Sequence, residues 1–86
     1  MYFVYVLRSI SFDRTYTGMT SDLKKRIKQH NNWENKSTKA YVPWELIYSE
    51  EFESRIEARK REKYLKSGIG REYIRDNFNR PRGATE

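Results

Sequence analysis

The stretch Tyr2-Phe3-Val4-Tyr5-Val6-Leu7, residues 2–7, is an unbroken run of aromatic, β-branched and aliphatic side chains. Such residues are enriched in strands, and a short apolar run without polar alternation is typical of a strand whose two faces are both covered. The run therefore predicts a central strand with other elements packed against each of its faces.

A second strand and a helix are predicted to follow this run. Residues 9–14 form a turn, and the segment Thr15–Thr17 returns as a short strand that ends at Gly18, which together predict a hairpin. At Gly18 we expect either a close approach of another group to the backbone or a positive φ angle. Thr20 or Ser21 can cap a helix that runs from about Asp22 to His30.

The faces of this helix follow from its period of about 100° per residue. Leu23 and Ile27 form the buried stripe, and Arg26 and His30 border the same stripe. Arg26 and His30 are therefore expected where the helix meets the sheet. The other cations of the helix lie on different faces and are Lys24, Lys25 and Lys28.

A polar, lysine-bearing loop and a third strand are predicted next. Residues 31–42 fit a surface loop, and Trp44–Ser49 is predicted to be a strand. Strict alternation would place Trp44, Leu46 and Tyr48 on one face of the sheet.

Two further helices complete the predicted order. Ser54 and Glu57 have the spacing of a capping box. The helix that they begin is expected to run to about Lys66 and to stop near Gly68. A last helix is predicted over residues 71–78.

These elements predict one domain over residues 1–78 and a disordered tail over residues 79–86. The order is β-β-α-β-α-α, which corresponds to an α/β (α+β) fold with a three-stranded, mainly antiparallel sheet flanked by helices. A chain of 86 residues leaves no room for a second domain of ordinary size.

Composition excludes several classes of function. The chain has no cysteine and one histidine, so disulfides, thiolate metal sites and histidine-cluster zinc sites are ruled out. The formal net charge of +6 suits a polyanionic partner. The sequence has neither an apolar run of the roughly 20 residues that span a bilayer nor a signal peptide, so we expect a cytoplasmic protein without a membrane partner.

Glu62 is the carboxylate whose position is hardest to explain as a solvated surface residue. On the second helix it lies within the more apolar sector, about 40° from Ala58 and about 60° from Leu65 by helical geometry. A carboxylate at a packed face is costly unless it is paired or bound to a cation. Two explanations fit: an ion pair with Arg26 or a lysine, or a metal site.

Considered together, these residues resemble the GIY-YIG nuclease domain, specifically its short stand-alone (UPF0213-like) members. Phe3-Val4-Tyr5 stands where the family has Gly-Ile-Tyr, and Tyr16-Thr17-Gly18 stands where it has Tyr-Ile-Gly. Arg26 follows ten residues after Tyr16, and His30 stands four residues later, where the family has Tyr or His. The segment Glu57–Glu62 matches a Glu-Ala-x-x-x-Glu pattern.

The resemblance implies hydrolysis of DNA phosphodiester bonds with one divalent cation, Mg²⁺ or Mn²⁺, in DNA repair or the processing of branched DNA. By the same resemblance, Glu62 is expected to ligate the cation and Arg26 to hold the scissile phosphate. Tyr5, Tyr16 or His30 is expected to position or deprotonate the attacking water, and the sequence does not decide among the three.

Two other functions fit the same fold and charge. One is a non-catalytic nucleic-acid-binding module, and the other is a protein-interaction module whose charge serves solubility alone. DNA contacts are expected from lysines of the first helix and the following loop, namely Lys24, Lys25, Lys28 and Lys39. The sequence has no obvious DNA-targeting domain after the fold, so a protein partner is expected to provide targeting.

Overall fold

Strand β1, Tyr2–Ser9, is the central strand of an antiparallel sheet with the strand order β2-β1-β3. The structure is a computed structural model and describes residues 1–78, so the predicted tail at 79–86 lies outside the described residues. The other elements are β2 Thr15–Thr20, α1 Leu23–Asn31, a 3₁₀ helix Lys39–Tyr41, β3 Trp44–Phe52, α2 Arg55–Lys66 and α3 Gly68–Asn77. This confirms the predicted order and the α+β fold.

Both faces of β1 are covered, as the apolar run predicts. Val4 and Val6 face α2 and α3, where they pack with three other buried residues, Ala58, Leu65 and Ile74. Tyr5 and Leu7 face the opposite side, with the buried Trp44 and with Leu23 and Ile27 from α1. The sheet is therefore the middle layer of the molecule.

A β-bulge makes the prediction that Trp44, Leu46 and Tyr48 share one face wrong. Val6 pairs with Tyr48, whereas the next residue, Leu7, pairs with Leu46, so β3 has one extra residue at this point. A bulge shifts the alternation of side chains between the faces. Trp44 consequently packs on the Tyr5 side of the sheet, and Tyr48 packs on the Val4 side.

The caps of α1 and α2 differ in how well the sequence predicts them. The N-cap of α1 is Asp22, whose carboxylate accepts from the Lys25 amide at 3.2 Å, and not Thr20 or Ser21. Ser54 caps α2 as predicted, since its hydroxyl oxygen accepts from the Glu57 amide at 3.2 Å.

The junction between α2 and α3 is shorter than predicted. Only Ser67 separates the two helices, and α3 already begins at Gly68. A Cβ atom added at Gly70 would lie 2.0 Å from the carbonyl oxygen of Tyr64 and 2.6 Å from the Cα of Leu65. Gly70 thus allows the start of α3 to lie directly against the end of α2.

Candidate active site

The hairpin brings Tyr5 and Tyr16 together on the α1 face of the sheet. Tyr5 is the cross-strand partner of Gly18, and Tyr16 is the partner of Leu7. Directly opposed residues share a face, and the two tyrosine ring centroids lie 6.3 Å apart.

Gly18 provides the space in which the Tyr5 hydroxyl lies. A Cβ atom added at Gly18 would be 2.6 Å from the Tyr5 hydroxyl oxygen and 3.0 Å from Cε2 of Tyr16. Of the two explanations expected for Gly18, the close approach is confirmed, and its φ angle lies outside the left-handed region.

We therefore expect Gly18→Ala to move the Tyr5 ring and disrupt the site. Overpacking of this kind costs about 1–3 kcal/mol of the free energy of unfolding, because the buried ring cannot move away freely. Thermal unfolding of Gly18→Ala beside Gly68→Ala is the measurement, since nothing lies within 4 Å of the Cβ position at Gly68. Equal melting temperatures for the two variants would contradict this account of Gly18.

Helix α1 adds His30, which is fully buried. Its Nε2 lies 2.9 Å from the Tyr5 hydroxyl oxygen, and its Nδ1 lies 2.7 Å from Oγ1 of Thr38. Its ring centroid lies 4.9 Å from that of Tyr16. Both ring nitrogens of His30 therefore have a hydrogen-bond partner inside the protein.

The hydrogen-bond network accommodates a neutral His30. Thr38 Oγ1 lies 3.5 Å from the carbonyl oxygen of Asn35, to which its hydroxyl can donate. In that arrangement Nδ1–H of His30 donates to Thr38, and Nε2 accepts from the Tyr5 hydroxyl. Burial lowers the pKa of His30, and the positive charge of Arg26 lowers it further.

The residues that support His30 lie in the segment 31–42, for which the sequence predicts only a surface loop. Trp44 donates from Nε1 to the carbonyl oxygen of Thr38 at 2.9 Å. The side-chain amide of Asn31 bonds both the amide nitrogen and the carbonyl oxygen of Trp44, at 2.7 and 3.1 Å. The sequence does not predict these roles of Thr38 and Asn31, because no local pattern indicates contacts between residues that are distant in the chain.

The depressed pKa of His30 predicts acid sensitivity. In the folded chain the neutral imidazole is favoured, so its stabilising effect is present above the ordinary pKa of about 6.5 and is lost as the pH falls below that value. We expect the melting temperature of the wild type to fall between pH 7.5 and 5.5, and that of His30→Gln to fall less. Because His30 is the only histidine, equal pH dependence in both proteins would contradict a neutral buried His30.

Arg26 lies one helical turn before His30 and is half-buried. Within residues 1–78 its guanidinium makes no hydrogen bond or ion pair, although its charge lowers the pKa of both His30 and Tyr5. A half-buried guanidinium without an acidic partner in this part of the chain is suited to bind an anion.

Glu62 approaches the same site from α2. Its side chain is only 12% exposed and forms ion pairs with two cations of its own helix, Lys66 at 3.2 Å and Arg59 at 3.7 Å. The expected alternative of an ion pair with a lysine is therefore observed, whereas no ion pair with Arg26 forms within the described residues.

The electrostatics of Tyr5 connect these residues. Burial raises the pKa of Tyr5 most strongly, the neighbouring Tyr16 raises it next, Arg26 lowers it and Glu62 raises it. The charges of Arg26 and Glu62 therefore both act at the Tyr5 hydroxyl. The structure thus brings Tyr5, Tyr16 and His30 into contact, from β1, β2 and α1, and places the charges of Arg26 and Glu62 near enough to act on Tyr5.

The four lysines expected to contact DNA do not belong to this cluster. Lys24, Lys25 and Lys28 are exposed on α1, where they line a shallow cavity of about 680 Å³. Lys39 is exposed in the 3₁₀ helix and does not line that cavity.

The donor set at Glu62 fits a hard cation that keeps most of its water. Among residues 1–78, no three His, Cys, Asp or Glu side chains gather in one place that could hold a metal ion. Mg²⁺ is commonly bound by one or two carboxylates together with water and substrate phosphate oxygens. One poorly exposed carboxylate matches that mode of binding and does not match a cage made by the protein alone.

Comparison with known proteins agrees with the resemblance seen in the sequence. The family described as the GIY-YIG catalytic domain matches residues 1–73. A UPF0213 protein of Clostridium perfringens is 45% identical over 67 residues, which cover 77% of this chain and 71% of the relative. A UPF0213 protein of Natronomonas pharaonis is 37% identical over 67 residues, which cover 77% and 78%.

A solved structure shares the fold. The solution structure of a UPF0213 protein from Bacillus halodurans matches with a TM-score of 0.53 and 31% identity, and the match covers 87% of this chain and 82% of that chain. The names of these relatives state no activity. Among residues 1–78, no helix is long and apolar enough to cross a membrane.

Proposed function

The chain belongs to the GIY-YIG nuclease family, and from this premise we propose that it is an endonuclease that hydrolyses DNA phosphodiester bonds with one divalent cation. The observation that supports the proposal is the contact of Tyr5 with Tyr16 and His30, with the charges of Arg26 and Glu62 acting on Tyr5. Residues that served stability alone would not need an arginine without an acidic partner beside a buried tyrosine–histidine pair.

Arg26 is the candidate for binding the scissile phosphate. Its planar guanidinium can donate to two phosphate oxygens at once. Its half-buried position lowers the competition from water, which strengthens a charge-assisted hydrogen bond. It would hold the phosphate next to Tyr5, whose pKa it already influences.

Burial separates the roles of the three residues that the sequence leaves open. Tyr5 and His30 are 1% and 0% exposed, whereas Tyr16 is half-buried. We therefore assign Tyr16 to direct contact with the attacking water or the phosphate, because it is accessible. His30 is a positioning residue that holds the Tyr5 hydroxyl through its Nε2 atom.

Glu62 is the candidate ligand for Mg²⁺ or Mn²⁺. When bound, such a cation would stabilise negative charge that develops on the phosphate and the leaving oxygen. Lys66 and Arg59 hold the Glu62 carboxylate in place through ion pairs in which the cations are exposed, at 53% and 52%. Exposed pairs on one helix contribute only about 0.3–0.5 kcal/mol and can be exchanged for another cation.

The exposed lysines of α1, together with Lys39, are proposed to contact phosphates farther from the cleavage point. Such contacts depend on charge and not on base sequence. Intrinsic sequence preference is therefore expected to be weak, and a protein partner is proposed to provide targeting.

The second candidate function is a nucleic-acid-binding module without catalysis. The ion pairs of Glu62 with Lys66 and Arg59 favour it, because a carboxylate with two cationic partners has no need of a metal. Under this alternative the chain would bind DNA as strongly but would not hydrolyse it.

Incubation of the chain with supercoiled, linear and branched DNA, with Mn²⁺ or with EDTA, tests the proposal. We expect nicking in Mn²⁺ and none in EDTA. DNA binding without nicking in any divalent cation would favour the non-catalytic module instead.

A further inference from the structure

A groove runs along the free edge of β2, on the side of the sheet that faces α2 and α3. Because the strand order is β2-β1-β3, β2 has a neighbouring strand on one side only within the part of the chain that the structure describes. Two adjoining cavities of about 370 and 430 Å³ lie here and share four lining residues, Asp13, Thr15, Thr17 and Arg71. The two cavities therefore form one continuous depression, which we call the β2 groove.

Cations dominate the lining of the β2 groove. They come from three different elements and are Arg14, Lys66, Arg71 and Arg75, against one acidic residue, Asp13. Arg71 is exposed and makes no ion pair within residues 1–78, and Arg75 pairs only with its exposed neighbour Asp76 at 3.4 Å. Arg71 and Arg75 stand four residues apart on α3, so they lie on one face of that helix.

The walls between these cations also suit a nucleic-acid strand. The side chains of Thr15 and Thr17 line both cavities, and their hydroxyls make no hydrogen bond within the described part of the chain. The buried side chains of Val6, Leu65 and Ile74 lie beneath one end of the groove. Threonine hydroxyls and arginines are common donors to phosphate oxygens.

The β2 groove adjoins the candidate active site at the edge of the sheet. Tyr16, on the edge strand β2, lines the larger cavity, while its ring lies on the α1 face against His30. Lys66 lines the same cavity and pairs with Glu62 at 3.2 Å. A DNA backbone bound at the active site could therefore continue along the protein surface into the β2 groove.

We propose that the β2 groove binds the phosphodiester backbone of the DNA strand next to the scissile phosphate. This inference rests on the proposed function, because the continuity with Tyr16 is what favours DNA over another polyanion. Arg71 and Arg75 contact the phosphates, and Thr15 and Thr17 donate to them. The exposed lysines of α1 lie on the opposite face of the sheet and contact a different part of the substrate.

The test compares Arg71→Gln/Arg75→Gln with a matched control, Arg55→Gln/Lys60→Gln. All four residues are exposed, both pairs remove two positive charges, and Arg55 and Lys60 line a separate cavity on α2. The dissociation constant for a fluorescein-labelled single strand and its duplex is measured in EDTA at several salt concentrations. Circular dichroism confirms that each variant is folded.

For the wild type we expect a log–log slope of affinity against salt of about −3 to −6, from four to six neutralised phosphates. The groove variant should bind at least about tenfold more weakly at 0.1 M salt, and its slope should be smaller in magnitude by about 1.4 to 1.8. The control should stay within about threefold of the wild type, because its cations act only through a screened field.

Equal losses in the two variants, or no loss in the groove variant, would overturn the β2 groove as a binding site. Failure of the wild type to bind either the single strand or the duplex would overturn it as well. Nicking in Mn²⁺ by the wild type, measured on the same preparations, keeps this result separate from the proposed function. If the groove variant loses affinity but the wild type does not nick, the β2 groove is supported and hydrolysis is contradicted. If the wild type nicks but the groove variant binds DNA as the wild type does, hydrolysis is supported and the β2 groove is contradicted.

Discussion

Glu62→Gln is expected to lower Mn²⁺-dependent nicking by a factor of at least about 10². This factor corresponds to the loss of about 3 kcal/mol of charge stabilisation in the transition state. The amide keeps the size and the helix preference of the side chain but removes the negative charge that would hold the cation. The first-order rate of plasmid nicking measures the effect.

The same variant should keep its DNA affinity and most of its stability. DNA binding depends on dispersed cations, and it should tighten slightly when one negative charge is removed. Glu62 pairs with Lys66 and Arg59 on its own helix and not with Arg26, so the pairs that are lost contribute only about 0.3–0.5 kcal/mol each. A purely structural Glu62 would show this small cost in melting temperature and no loss of activity.

Glu72→Gln is the matched control for this variant. Glu72 is exposed on α3, and its side chain makes no hydrogen bond or ion pair within residues 1–78. It should nick like the wild type. Undiminished nicking by Glu62→Gln, or an equal loss of nicking in both variants, would contradict the assignment of Glu62 as the metal ligand.

Tyr5→Phe is expected to lower nicking by about 10², because the buried Tyr5–His30 pair packs against Tyr16 and a small displacement of a positioned group has an effect of this size. The ring and its packing remain, but the hydroxyl that bonds His30 Nε2 at 2.9 Å is removed. Because His30 is fully buried, its Nε2 loses its partner, and we expect a cost of about 1–3 kcal/mol in the free energy of unfolding. Nicking rates and chemical denaturation measure the two effects separately.

Tyr64→Phe is a suitable comparison, since Tyr64 is 40% exposed and its ring contact with Arg61 survives the loss of the hydroxyl. A merely structural role for Tyr5 would lower stability while the nicking rate of the folded fraction stayed at the wild-type value. In the wild type the nicking rate should also fall at low pH, because protonated His30 cannot accept a hydrogen bond from the Tyr5 hydroxyl. A pH profile that is the same in Tyr5→Phe and the wild type would argue against the Tyr5–His30 pair.

Local patterns in the sequence are sufficient for most of the fold. The apolar run of β1, the capping box at Ser54 and the helical period of α1 each depend on neighbours within a few residues. The bulge in β3 between Leu46 and Tyr48 arises from how that strand pairs with β1. No local pattern encodes such pairing, so the alternation in β3 was assigned wrongly.

Some residues of the candidate site can likewise be predicted from local spacing, and others cannot. Arg26 and His30 are four residues apart, so their shared helix face follows from spacing alone. Thr38, which bonds His30 Nδ1, and Asn31, which holds Trp44, act through contacts across the loop. The β2 groove is likewise lined by residues of β2, α2 and α3. The positions of Arg14, Lys66 and Arg71 in the sequence do not predict that they line the same groove.

The most direct test of the central claim is the rate at which purified chain nicks supercoiled DNA in Mn²⁺, in Mg²⁺ and in EDTA, with Glu62→Gln purified and assayed in parallel. We predict nicking by the wild type in at least one of the two cations, none in EDTA, and a rate at least about 10² lower for Glu62→Gln. Equal nicking by wild type and variant would point to a contaminant or another site. Absence of nicking by the wild type in both cations, with DNA still bound, would contradict the claim that this site hydrolyses DNA.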